Sequence, residues 1–85
     1  MNMMERKNTE LIKEFNTYVR EHPEFTEQIP DNAVIIMQLE GDEEFNQWGL
    51  KLAEDHHEED RPIVYVRIKK MKPLRSRIEE LEVQQ

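Results

Sequence analysis

Glu54, Asp55, His56, His57, Glu58, Glu59 and Asp60 form the stretch where side chains able to ligate a cation or move a proton stand closest together. On a helix, Glu54 and His57 have the Glu-x-x-His spacing with which di-iron bundles project a carboxylate and an imidazole from one face. His56 and Asp60, four apart, fall on a common face too, so the four residues are the candidate ligands of a small metal site. The bundle sites, however, need a second such motif and two more glutamates on facing helices. This chain has one motif, near a fraying helix end, and a solvated acidic helix terminus is the favoured reading, with no metal expected. Other chemistry finds less to work with. There is no cysteine, which excludes thiol nucleophiles, disulfides and zinc ribbons. The lone serine, Ser76, reads as a helix cap, and two glycines, Gly41 and Gly49, cannot build a phosphate-cradling loop. Nucleophile, base and oxyanion donors cannot all be assigned, so neither an enzyme nor a cofactor is expected.

The charge pattern is more informative than any single motif. The net charge is −7 over 85 residues, yet residues 21–60 hold thirteen acids and one base, whereas residues 61–78 hold seven bases and no acid. Arg67, Lys69, Lys70, Lys72, Arg75 and Arg77, together with the acidic start of the second helix at Asp42, Glu43 and Glu44, are the predicted binding residues. Opposite charges of this kind either face one another, within the molecule or across an oligomer, or face different partners. The favoured reading is a non-enzymatic interaction or assembly protein that is homo-oligomeric and binds a protein partner. The alternative is a nucleic-acid-binding module using the basic 61–77 segment, since cations clustered on one side neutralise phosphates. Against it stand the overall negative charge, the single nearby aromatic residue, Tyr65, and the absence of a helix-turn-helix pattern.

These residues must be positioned by a small single domain spanning 1–85. Leu11, Ile12, Phe15, Tyr18 and Val19 recur at steps of three and four and predict a helix over 8–22, capped by Asn8 or Thr9 and stopped by Pro23. Residues 23–32 read as a connection, with one helical turn anchored by Phe25 and Ile29 and a turn at Pro30-Asp31-Asn32. The unbroken apolar run 33–39, rich in β-branched residues, predicts a strand covered on both faces. Asp42 then caps a helix over 42–57, whose inner face is Phe45, Trp48, Gly49, Leu52, Ala53 and His56. After Pro62 a strand over 62–70 alternates Val64, Val66 and Ile68 with Ile63, Tyr65, Arg67 and Lys69. Ser76 with Glu79 fits a capping box, and Leu74, Ile78 and Leu81 are spaced for a short helix over 76–83; an extended edge is the rival reading.

The fold class is therefore α/β, or small α+β, in the order α-β-α-β-α around one parallel, right-handed βαβ unit. Two strands make too small a sheet to stand alone, so the sheet is expected to be completed by oligomerisation, a homodimer in the simplest case. No window approaches the ~18 apolar residues of a spanning helix, and the start of the chain lacks the apolar core of a secretory signal. A cytoplasmic protein without membrane contact is the expectation.

The runs HPEF (22–25), IP-D-NA (29–33), EGDEEFNQW (40–48), PIVYVRI (62–68) and PLRSRIEELE (73–82) resemble a family of short prokaryotic proteins of unknown function. The resemblance spans nearly the whole chain, and EGDEEFNQW is its most distinctive stretch. It implies a bacterial or archaeal cytoplasmic protein and supplies no catalytic residue or ligand. It is compatible with an accessory protein of toxin–antitoxin type, short, acidic and bound to a partner chain.

Overall fold

The computed structural model describes residues 2–56 and 60–85. Helix α1, Met3–Glu21, begins five residues before the start predicted at 8. Its cap is Asn2, not Asn8 or Thr9: the Asn2 side chain accepts from the Glu5 N–H at 2.8 Å. Thr9 sits inside the helix, where its hydroxyl donates to the Glu5 carbonyl. The earlier start brings Met4 and Lys7 onto the face that carries Leu11 and Phe15. The connection holds a 3-10 turn, Pro23–Gln28, after the proline that ends α1.

Strand β1, Val34–Leu39, leads through Gly41, whose φ of +90° suits a residue without Cβ, into helix α2, Glu43–Asp55. Asp42 caps α2 as predicted, accepting from the Phe45 N–H at 3.1 Å. Strand β2, Ile63–Ile68, returns parallel to β1 with Ile36 beside Tyr65 and Gln38 beside Arg67. The protein is thus a small mixed α and β unit with a two-stranded parallel sheet.

Helices cover the two faces of β1. On one face Gly49 brings α2 so close that a Cβ there would stand 3.2 Å from the Met37 carbonyl oxygen and 3.3 Å from Ile36 Cγ2. On the other, Leu11 of α1 joins Met37 and Phe45 in a buried cluster, with Met4, Ile12, Phe15, Ile35, Leu39, Trp48, Val66 and Ile68 packed around it. Of the inner face read for α2, Phe45, Gly49 and Ala53 are buried and Trp48 and Leu52 half-buried. His56 is exposed instead, because the helix ends before it and its ring Nδ1 turns back to the Leu52 carbonyl at 3.0 Å.

The two sheet edges differ. The Val34 and Glu40 N–H groups donate across to β2, so the groups of Ile35, Met37 and Leu39 point away from it. Asn46 of α2 meets Leu39 there with both ends of its amide, accepting from the Leu39 N–H at 2.7 Å and donating to the Leu39 carbonyl at 2.8 Å. Gln38 Nε2 donates to the Met37 carbonyl at 3.1 Å. Side chains therefore take the place of a neighbouring strand at the Leu39 end of β1, at both groups of Leu39 and the carbonyl of Met37. Nothing equivalent guards β2 among the described residues, and α2 lies over β1 rather than over β2.

The predicted elements fail after Ile68. Residues 69–85 form neither helix nor strand, so the helix over 76–83 is absent and β2 stops before 70. Ser76 Oγ accepts from the Ile78 N–H, two residues on, and not in the capping-box pattern with Glu79. A helix this short is marginal without a surface to receive its apolar stripe, and this segment touches none: Leu74 is fully exposed and Ile78, Leu81 and Val83 are 63–78% exposed.

Candidate functional site

Because the strands are parallel, their C-terminal ends lie at one end of the sheet. There β1 passes into Asp42, Glu43 and Glu44, and β2 passes into Lys69 and Lys70. The topology thus brings the acidic start of α2 and the root of the basic segment to the same end. Glu43, Glu44, Arg67, Lys69, Lys70, Lys72, Arg75 and Arg77 are all exposed there and beyond.

Asp42 has a different role from its neighbours. The Lys7 ammonium of α1 donates to Asp42 Oδ2, while Oδ1 receives the Phe45 N–H. The same ammonium lies 5.8 Å from the centroid of the Phe45 ring. These contacts hold the Asp42 carboxyl below its ordinary pKa, the hydrogen bond from Lys7 first and that from Phe45 second. Asp42 is therefore a clasp between α1 and α2, its carboxylate engaged within the chain. Among the described residues this is the one ion pair, and its cation comes from α1, not from the basic 61–78 run.

A pH effect follows. Folding lowers the pKa, so ionised Asp42 stabilises the fold above about pH 4 and the contribution vanishes as pH falls through the lower folded value. Asp42→Asn keeps a capping oxygen and removes the charge. The wild type is expected to exceed Asp42→Asn in urea midpoint at neutral pH, with the gap closing as the pH falls through the lowered folded pKa. A gap that persists in acid would show that the charge is not what Asp42 contributes.

Among the described residues the metal candidates are not brought together. Glu54 is exposed on the last turn of α2, His56 and Asp60 are exposed, and His57 lies outside the described residues. Among the described residues, no three His, Cys, Asp or Glu side chains come together as a cation would need. Glu54 instead borders a shallow groove with Ala53, Ile63 and Tyr65, beside β2. Sequence pattern did not reveal this groove, since Tyr65 stands there as an isolated aromatic. Nor did it reveal an exposed aromatic cluster at the end of α1, where Tyr18 stacks on His22 at 4.1 Å and Phe25 meets Tyr18 edge-on. The step of four from Tyr18 to His22 was the available signal.

The fold and this end of the sheet define a small α-and-β module with an acidic helix start and a basic, exposed C-terminal segment. The chain belongs to the family of unknown function DUF5647, whose model matches residues 3–81. The match extends through Leu81, so the exposed segment is part of what the family shares. No curated protein and no solved structure matches the chain. No helix among the described residues is long and apolar enough to cross a membrane.

Proposed function

We propose that this chain is a non-enzymatic assembly protein that self-associates and uses its basic C-terminal segment to hold a protein partner. One observation carries the reading: Met71, Leu74, Ile78, Leu81 and Val83 are all exposed within a segment that the family match covers through Leu81 and that packs on nothing described. Large apolar side chains concentrated in this way mark a surface that a partner covers. Arg67, Lys69, Lys70, Lys72, Arg75 and Arg77 flank them, so the partner presents an acidic surface with apolar recesses; Glu43 and Glu44 at the same end of the sheet select against an acidic partner that approaches from the wrong side. An accessory role of toxin–antitoxin type, in a prokaryotic cytoplasm, fits such a module.

Reversing charge at Lys69, Lys70 and Arg75 tests the reading. The variant is expected to keep the mass and circular dichroism of the parent and to lose a stoichiometric protein that the parent retains from host extract. Retention of DNA or RNA by the parent at about 50 mM salt, lost in the variant, would instead favour the nucleic-acid alternative.

A further inference from the structure

From the open outer edge of β2, we infer that two copies of this chain join antiparallel through that strand, centred on Tyr65, into a continuous four-stranded sheet. The inference rests on the proposed self-association and names its surface.

The edges decide which strand pairs. Asn46 and Gln38 occupy the outward carbonyls of Leu39 and Met37, and Asn46 also takes the Leu39 N–H. A second strand on that side would have to displace them. On β2 the alternation that turns the backbone groups of Val64, Val66 and Ile68 towards β1 turns the N–H and C=O groups of Ile63, Tyr65 and Arg67 outward. Among the described residues nothing bonds to those outward groups. Tyr65, at the middle, is half exposed.

The side chains decide the occupant and the register. With Tyr65 opposite the partner's Tyr65, the outward groups of Ile63 meet those of the partner's Arg67, and every outward N–H finds a carbonyl. Val64 falls opposite the partner's Val66 on the α1 side, an apolar cross-strand pair. On the α2 side the partner's Arg67 reaches over Ile63 into the groove that Ala53, Glu54, Ile63 and Tyr65 line, where Glu54 supplies the opposite charge. The two-fold repeats the pair, Arg67 entering the partner's groove. Centring on Arg67 would set two guanidiniums face to face, and a parallel pairing would do the same all along the strand. The arrangement thus brings the basic end of each β2 against the acidic end of the partner's α2, which the fold of one chain cannot do, because within a chain those ends lie at opposite ends of the sheet.

The absence of native cysteine gives a direct test on the full-length chain. Tyr65→Cys should place two thiols on Cα atoms about 5.5 Å apart, within disulfide reach, and mild oxidation should convert most of the protein to a covalent dimer. Tyr18→Cys, similarly exposed on α1, should link only slowly. Glu54→Arg alone and Arg67→Glu alone should each weaken the dimer about tenfold or more, and the two together should restore it. Sedimentation showing a dimer that neither crosslinks in the Tyr65→Cys variant nor recovers in the double charge variant would overturn this interface and leave self-association standing. A monomer would overturn both. All four sites lie at the surface, and circular dichroism verifies the fold of each variant before its mass is read.

Discussion

Phe45→Ala should cost about 3–5 kcal/mol of unfolding free energy, a large share of the roughly 5–15 kcal/mol available to a typical domain. Phe45 is fully buried at the first turn of α2, where three elements meet. Its ring stacks against Trp48 with centroids 5.8 Å apart, joins Met37 of β1 and Leu11 of α1 in the core, and lies beneath the Lys7 ammonium. Truncation therefore empties the junction that holds α1 to the sheet, and the short helices have nothing with which to refill it. The urea midpoint measures the effect, and near-ultraviolet circular dichroism reports the fate of Trp48. A loss of less than about 1 kcal/mol would mean that α1 does not depend on this contact.

Gly49→Val is the second large effect, in the opposite sense of overfilling. Even a single Cβ at this position stands 2.7 Å from Gln38 Nε2, 3.2 Å from the Met37 carbonyl and 3.3 Å from Ile36 Cγ2. Gln38 can swing away, but the strand backbone cannot, and valine adds two methyl groups against it. The expected loss is about 1–3 kcal/mol or more, the usual range for overpacking. Gly49→Ala separates the causes: helix propensity favours alanine by about 1 kcal/mol, which offsets much of its milder crowding. Valine should therefore fall well below alanine in thermal midpoint. Equal stability of the two would mean that α2 does not sit this close to β1. Moving Gln38 also frees the Met37 carbonyl, so the valine variant should expose the β1 edge that the native side chains guard.

The parts of the fold legible in the sequence are those specified locally and then reinforced by burial. The β-branched run 34–39, the cap at Asp42 and the proline before β2 each act within a few residues, and together they leave a parallel strand–helix–strand unit as the simple solution. Asn8 and Thr9, nearer the apolar stripe, offer the same capping chemistry as Asn2; Met4, which packs on the core, and Lys7, which reaches Asp42, make the longer helix worthwhile. The capping-box letters at Ser76 and Glu79 misled for the converse reason, since no face among the described residues receives Leu74, Ile78 and Leu81. The candidate surface was legible as charge and not as pairing. Lys7, outside the basic run, takes Asp42, while the cations between Arg67 and Arg77 stay in solvent. The guarding of β1 by Asn46 was invisible in sequence, because an amide on a helix becomes a strand mimic only once the helix has docked.

Self-association is the central claim, and equilibrium sedimentation of the full-length protein at micromolar concentration tests it most directly. A mass of twice the 10.4 kDa chain is the predicted result. A single species at the chain mass across that range would contradict it.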